Sequence, residues 1–181
     1  MAALARDGNV LGALSLVVAD QMSDAVAAAA DQSLTAAAAL TALDQFADGC
    51  SIDRLRRILG LTSSGTVRLV DRLVAAGDVR RREGPDARTT SIELTAAGRR
   101  AARRVSAARA MVLEDALSAL SPAERRDLEQ LAARVLDGVV RQKLARESDS
   151  TRWICRLCDT DACGRAEGRC PAAAAAAAAR G

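Results

Sequence analysis

The chain has 181 residues, half of them hydrophobic but only 1% aromatic, and it contains no histidine. A core made mainly from Ala, Leu and Val favours helices, so the sequence predicts a mainly α protein. Without histidine, Ser–His–Asp and Cys–His catalysis are excluded, and an enzyme is not expected. No apolar run approaches the ~20 residues of a membrane span, so we expect a cytoplasmic protein without a membrane partner.

The net charge of +3 hides a segregation along the chain. Residues 51–110 carry fourteen arginines against six acidic residues, whereas residues 1–50 carry one arginine against six. A basic block between acidic flanks suggests a surface for a polyanion, because cationic side chains neutralise phosphates and release counterions. A solvated helix surface would have the same composition.

The first half of the chain predicts four helices. An Ala-, Leu- and Val-rich helix over residues 8–30, capped by Asp7, is apolar around most of its circumference and therefore needs a partner. A second helix runs from Ser33 to about Asp48. Two shorter helices follow, over residues 51–59 and 63–76, and each is closed by a glycine. Short helices joined by a glycine-containing turn are typical of a helix-turn-helix.

The pattern then changes to a hairpin and two long helices. Residues 78–83 and 90–94 alternate partly in polarity around the turn Gly84-Pro85-Asp86-Ala87, which predicts a two-stranded β-hairpin. Thr95 caps a helix to about Leu120. Ser121-Pro122-Ala123-Glu124 is a capping box that opens the last helix, which runs to about Ala145. A polar linker, four cysteines and eight alanines follow.

The helix over residues 63–76 separates into an apolar face and a polar face. Ser64, Arg68 and Arg72 share one stripe, since they are spaced by four residues. Hydroxyls at the first turn followed by guanidinium groups suit insertion into a DNA major groove, and free N–H groups near Thr62 and Ser63 could receive a phosphate. The alternative is a solvated surface on which Arg68 pairs with Asp71. The face predicted to be buried comprises Val67, Leu69, Val70, Leu73 and Val74.

The predicted hairpin carries Arg80, Arg81, Arg82 and Arg88 around its tip. An arginine-bearing β-wing can enter a narrow minor groove, where the negative potential is enhanced. Asp86 would then orient Arg88. An ordinary solvated hairpin with an exposed ion pair is the alternative.

These elements resemble the MarR family of bacterial transcription regulators over roughly residues 8–145. The resemblance lies in the stretch Leu61-Thr62-Ser63-Ser64-Gly65-Thr66-Val67-Arg68-Leu69-Val70-Asp71-Arg72-Leu73, in the wing motif Asp86-Ala87-Arg88, and in Ile92-Glu93-Leu94-Thr95 leading into Gly98. It implies a winged helix-turn-helix fold with a two-stranded wing and a helical dimerisation region. By that resemblance the protein is a homodimer that binds double-stranded DNA, with its recognition helices on the order of 34 Å apart.

The resemblance also assigns roles and boundaries. Ser64 and Arg68 would contact the major groove, Arg88 the minor groove, and Arg72 a phosphate. The chain then divides into an N-terminal dimerisation helix (1–32), a DNA-binding domain (33–95), C-terminal dimerisation helices (96–146) and a cysteine-rich tail (147–181). Regulators of this family usually respond to a small molecule, a metal or an oxidant, and the effector here is unknown.

The tail contains four of the five cysteines, Cys155, Cys158, Cys163 and Cys170, in the spacing C-x2-C-x4-C-x6-C-P. Clustered cysteines in a cytosolic protein more often bind metal or act in redox chemistry than form structural disulfides. Zinc, an iron–sulfur cluster and a metal-free thiol switch are all compatible with this spacing. Cys50, alone at a helix junction, is predicted to be a small buried hydrophobe.

The sequence therefore predicts a dimeric, sequence-specific DNA-binding repressor whose tail responds to metal or redox state. One alternative is an iron–sulfur or thiol redox protein that uses the helical body as a dimer scaffold. A non-specific architectural DNA-binding protein is another.

Overall fold

The computed structural model describes residues 5–83, 90–146 and 151–178, beginning with helix α1 (Arg6–Ala30). Residue 5 precedes α1 without a side-chain cap. The prediction that Asp7 caps this helix is therefore wrong, because Asp7 lies inside the first turn and accepts a hydrogen bond from the Gly8 N–H at 2.7 Å. The helix ends at Asp31, which adopts a left-handed conformation.

Helix α2 (Leu34–Ala42) is buried from Ala36 to Ala42 and is capped by the Ser33 hydroxyl, as predicted. It is shorter than expected, because a π-helical turn over Leu43–Ala47 follows and Asp48 is not helical. The Asp48 carboxylate instead accepts a hydrogen bond from the Leu94 N–H at 2.9 Å and pairs with Arg99.

Two short helices form the predicted helix-turn-helix. Helix α3 (Ile52–Leu59) is capped by the Ser51 hydroxyl, and helix α4 (Ser63–Ala75) by the Thr62 hydroxyl. Gly60 joins them at a φ of +66°, a left-handed conformation that favours glycine. Local caps and a glycine stop therefore determine this unit, which is why the sequence predicted it closely.

The wing has one strand more than predicted. Strands β2 (Val79–Glu83) and β3 (Thr90–Leu94) are antiparallel, and Val79 pairs with Leu94. The two-residue strand β1 (Cys50–Ser51) pairs with the other edge of β3, which gives the order β1-β3-β2. So short a strand has no periodicity of its own, and its pairing depends on tertiary contact.

Two long helices follow the sheet. Helix α5 (Ala96–Leu117) is capped by Thr95, and helix α6 (Pro122–Arg146) begins at the predicted capping box, in which the Glu124 carboxylate accepts from the Ser121 N–H at 2.8 Å. A Cβ at Gly98 would clash with the Asp78 carbonyl, so only glycine allows α5 to lie this close to the start of β2. Helix α5 ends slightly earlier than the predicted Leu120.

The main core joins α2, α3, α4, the sheet and the start of α5. Its large, fully buried side chains are branched aliphatics: Leu40, Leu43, Leu55, Ile58, Leu69, Leu73, Ile92 and Leu94. A second, smaller cluster fixes α1 to α2 and α5. The winged-helix unit therefore has a core of its own.

Several helices expose apolar side chains in the single chain. On α6 the exposed apolar side chains form one stripe, Leu128, Leu131, Val135 and Val139. Helix α1 exposes Val10, Leu11, Leu14, Leu16 and Val17. By length and composition alone α1 could cross a membrane, since its most apolar stretch has a mean hydropathy of 1.4 and is 6% buried. The sequence prediction considered only uninterrupted apolar runs, and one helix of this kind near the N-terminus is weak evidence for a membrane span.

The described part of the tail forms a small unit, here named the cysteine lobe (residues 151–178). It begins with a 3-10 helix (Thr151–Leu157) that packs on α2 and α3, and it ends with helix α7 (Pro171–Ala178), which packs on α6. The alanine tract, whose order the sequence left open, is helical through Ala178. The lobe thus contacts both the winged-helix unit and the last long helix.

Candidate nucleic-acid interface and cysteine lobe

Helix α4 turns one face to the core and another to solvent. Thr66, Leu69, Val70 and Leu73 are buried, which is the spacing of a single helical face. The predicted apolar side is corrected at two positions, since Val67 and Val74 are 41% and 38% exposed and Thr66 takes a buried place instead. The opposite side presents Ser64, Arg68 and Arg72, all exposed as predicted.

The N-terminus of α4 is built by Thr62. Its hydroxyl accepts from the Gly65 N–H at 3.1 Å, and its carbonyl accepts from the Thr66 hydroxyl at 2.9 Å. The Thr62 side chain is therefore occupied by the cap. Ser63 and Ser64 are exposed beside it at the end of the helix. This end is where the helix dipole favours an anion.

The arginines near α4 differ in whether they have partners. Arg81 of β2 donates to the Asp71 carboxylate of α4 at 2.6 Å, so the alternative pairing of Arg68 with Asp71 does not form. Among the described residues, Arg68 and Arg72 make no ion pair, and their charge is left for an external anion. Sequence reasoning missed the Arg81–Asp71 contact, because it joins two elements that only the fold brings together.

The other two arginines of the wing base share one carboxylate, so one positive charge there remains uncompensated. Arg80 and Arg82 both pair with the Glu93 carboxylate, at 2.8 and 3.1 Å. The predicted minor-groove residue Arg88 and its buttress Asp86 lie outside the described residues, and both assignments stay predictions.

In the cysteine lobe, Cys155 and Cys158 form one pair. The Cys158 N–H donates to the Cys155 carbonyl at 3.0 Å, which places both side chains on one turn. The pKa of Cys155 is lowered to about 6, first by the neighbouring Cys158 thiol and also by the Arg165 guanidinium, which lies 3.3 Å from its Sγ. The pKa of Cys158 is raised by the neighbouring Cys155 sulfur and by burial, and its thiol donates a hydrogen bond to the Ile154 carbonyl at 3.8 Å.

Cys163 and Cys170 form a second pair. Both belong to the apolar cluster that fixes the lobe to α6, where Cys170 is buried together with Val140. The pKa of the Cys163 thiol is raised, first by burial and then by the neighbouring Cys170. The Cys163 thiol donates a hydrogen bond to the Thr160 carbonyl at 3.4 Å. The Cys163 backbone is held by the Asp159 carbonyl, which accepts its N–H at 3.2 Å.

The structure therefore brings the four predicted ligands into one lobe but not around one point. Within residues 5–83, 90–146 and 151–178, no set of three or more His, Cys, Asp or Glu side chains is placed to hold a single metal ion. Cys50 lies apart in the main core, 5% exposed, where burial raises its pKa. The prediction that Cys50 is a small buried hydrophobe is confirmed.

The lobe is docked on the winged-helix unit by contacts that the sequence did not predict. The Thr160 N–H and hydroxyl both donate to the Gln45 side-chain oxygen, each at 2.8 Å. A cavity of about 260 Å³ lies between α5 and the lobe and is lined by Arg109, Leu113 and Leu157, among others. Gln45 belongs to the π-helical turn, and nothing in its sequence neighbourhood indicates a partner 115 residues away.

Taken together, the three-stranded sheet, the paired short helices and the cation-bearing side of α4 define a winged helix-turn-helix protein. Residues 31–89 match the model of the MarR family. No curated protein matches the sequence. The motifs that resemble the MarR family in the sequence are therefore matched by a family model over the winged-helix part of the chain.

Solved structures support the same fold. RV1404 from Mycobacterium tuberculosis is 26% identical, with a TM-score of 0.63 over 75% of this chain and 95% of that one. MepR, a regulator of the multidrug efflux pump MepA of Staphylococcus aureus, is 15% identical (TM-score 0.64, 75% and 99% covered). A MarR mutant from E. coli is 20% identical (TM-score 0.63, 75% and 99% covered). The family match ends at residue 89, so the cysteine lobe lies outside it.

Proposed function

We propose that the protein is a sequence-specific DNA-binding transcription regulator that works as a homodimer and represses its targets. The observation that carries this proposal is the side of α4 opposite the core, where Ser64, Arg68 and Arg72 are exposed together and neither arginine is paired with a described residue. Arginine can bind guanine or a phosphate through two hydrogen bonds, and a helix of this kind fits a major groove. A DNA target also implies a cytoplasmic protein.

The wing supports α4 in this role. Because Arg81 is bonded to Asp71, it fixes the wing base against α4 and contributes less free charge to DNA than Arg68 does. Arg88, at the wing tip, is proposed to enter the minor groove, with Asp86 as its buttress. Thr62 acts through its cap, Ser63 approaches the DNA backbone, and Ser64 contacts the major groove with Arg68.

The apolar surfaces of α1 and α6 support the proposed homodimer. Leu131, Val135 and Val139 are each more than half exposed, and their spacing puts them on one side of α6. Apolar surface of this extent on a long helix is typical of an interface. A second copy of this chain, supplying its own α1 and α6, would cover it symmetrically.

The cysteine lobe is proposed to be the responsive element. It contacts α2 and α3 on one side and α6 on the other, so a change in its structure acts on both the DNA-binding unit and the proposed dimer interface. Coupling between two sites needs an element whose conformation is shifted by events at both sites. The effector is a metal or an oxidant that reaches the thiols.

Selection from random-sequence DNA tests this function. The full chain should enrich an inverted repeat whose half-sites are about 10 base pairs apart, since each protomer contributes one recognition helix. Enrichment of no sequence, with binding that depends on salt alone, would instead indicate a non-specific DNA-binding protein.

The dimer can be tested separately. Leu131→Glu combined with Val135→Glu should give a monomer in sedimentation velocity and lose binding to the inverted repeat. Arg126→Glu, on the exposed polar side of α6, is the matched control and should stay dimeric. A double variant that remains a dimer would show that α6 is not the interface.

A further inference from the structure

The four thiols of the cysteine lobe are arranged as two pairs rather than as one group. Cys155 and Cys158 share a turn, which the hydrogen bond from the Cys158 N–H to the Cys155 carbonyl closes. Cys163 and Cys170 belong to one apolar cluster against α6.

This arrangement discriminates among the metals that take four thiolates. One zinc ion holds four sulfurs at about 2.3 Å in a tetrahedron, which requires every sulfur to lie about 3.8 Å from the other three. No group of three is placed in that way among the described residues. A two-iron, two-sulfide cluster is also held by four cysteine thiolates, but each iron takes only two of them. Two separated pairs are what such a cluster needs.

We propose that the cysteine lobe binds a [2Fe–2S] cluster, with one iron held by Cys155 and Cys158 and the other by Cys163 and Cys170. Assembly is not a redox step: four thiols bind two ferric ions and two sulfides and release four protons, which leaves a cluster of net charge −2. The ligands in the two pairs come from the 3-10 helix, the loop after it and the start of α7.

The surrounding charges fit an anionic cluster. The Arg165 guanidinium lies 3.3 Å from the Cys155 sulfur, and Arg109 of α5 approaches Cys158. The side chain of Arg169 folds over Gly164, where a Cβ would come within 3.0 Å of it. Cations and hydrogen bonds to the sulfurs stabilise a reduced, more negative cluster and so raise its reduction potential.

The composition of the lobe supports the same conclusion. Among residues 154–178 the buried side chains other than cysteines are Ala172, Ala175 and Ala176 of α7, and Ile154 and Leu157 are half-buried. So short a segment with so little apolar volume usually needs a metal or a disulfide to hold its structure. The five cysteines are free thiols in this structure, and ligation of a metal would cross-link the lobe.

The inference deepens the proposed function by naming the group through which the lobe responds, and its test does not involve DNA. The protein is purified without oxygen, its iron, acid-labile sulfide and zinc are measured, and its visible spectrum is recorded. We expect about two irons and two sulfides per chain with a visible absorption band. Cys155→Ala and Cys163→Ala should each lower the iron to background, while Cys50→Ala should retain it.

Three results would overturn the inference. One zinc per chain would make this a single-ion site, and four irons would indicate a cubane cluster. Iron-free protein that also fails to take up iron after incubation with ferric salt and sulfide would leave a metal-free thiol switch. The wild-type metal content decides among these even if a cysteine variant does not fold. An iron-loaded protein that does not bind DNA would contradict the proposed regulator function but not the proposed cluster.

Discussion

The winged-helix unit and the cysteine lobe bury very different side chains. The first encloses branched aliphatics such as Leu40, Ile58 and Leu73, all fully buried, and each contributes roughly 1.5–3 kcal/mol of hydrophobic stabilisation. The second encloses mainly alanines and cysteines, with Ile154 beside them, against Leu136, Val140 and Leu144 of α6. An alanine methyl contributes far less, about 0.8 kcal/mol. The comparison teaches that apolar burial suffices for the winged-helix unit, whereas the lobe buries less apolar volume and would be stabilised by the ligation that we propose.

The largest effect should come from removing ligation in the lobe. Cys155→Ala should expose residues 151–178 to trypsin and speed cleavage after Arg165 by about 100-fold or more, because metal binding supplies most of the folding free energy of such a segment. Limited proteolysis followed by mass spectrometry measures the rate. Cleavage within α3 and α4 should stay slow, as it should everywhere in Cys50→Ala. Equal protection of the lobe in the wild type and in Cys155→Ala would show that packing alone holds it.

The next effect concerns burial in the winged-helix unit. Leu73→Ala should lower the free energy of unfolding by about 2–5 kcal/mol, because it leaves a cavity at a fully buried site. Val74→Ala, on the neighbouring exposed position, should change it by less than about 0.5 kcal/mol. Urea denaturation followed by circular dichroism gives both values. Similar values for the two variants would mean that α4 does not pack as described.

The two regions also use their arginines differently, which gives a smaller effect on binding. Arg165 contacts a sulfur, whereas Arg68 has no described partner. Arg68→Ala should therefore weaken binding to the selected DNA by about 1–3 kcal/mol without altering stability, since it removes a contact to a base. Fluorescence anisotropy measures the affinity, with Arg126→Ala on α6 as the control. Unchanged affinity in Arg68→Ala would remove α4 from the DNA interface.

The smallest effect should come from the contact that joins the two regions. Thr160→Val removes the hydroxyl that donates to Gln45 and should weaken docking of the lobe by about 1 kcal/mol. Hydrogen exchange at Leu43–Ala47 should rise several-fold, with no change of iron content. Thr151→Val, at the start of the lobe, serves as the control. Exchange that is the same in both variants would show that this contact does not hold the lobe in place.

The sequence predicted the winged-helix unit better than it predicted the lobe, for a physical reason. Caps at Ser51, Thr62 and Thr95 and the glycine at position 60 are local features, so helix boundaries could be read from neighbouring residues. Strand β1 and the π-helical turn before it depend on contacts with β3, so their boundaries could not be predicted from neighbouring residues. The buried and exposed faces of α4 were predicted except at Thr66, Val67 and Val74. The helical period defines only a broad apolar side, and the packing against the core decides which residues at its edges are buried.

For the functional residues, the sequence identified the types and the fold supplied their partners. The spacing of Ser64, Arg68 and Arg72 sufficed to place them on one side of a helix. It could not show that Arg81 is taken by Asp71, because those residues meet only through the fold. In the same way, four clustered cysteines indicated a metal or redox site, but their division into two pairs depends on the turns between them.

The central claim is that α4 reads a DNA sequence, and its most direct test is one ratio of affinities. The full-length protein should be titrated at one fixed salt concentration against the selected inverted repeat and against a scrambled duplex of equal length. The account predicts at least about 1,000-fold tighter binding to the repeat, the usual range for a specific regulator. Equal affinity for the two duplexes would contradict it.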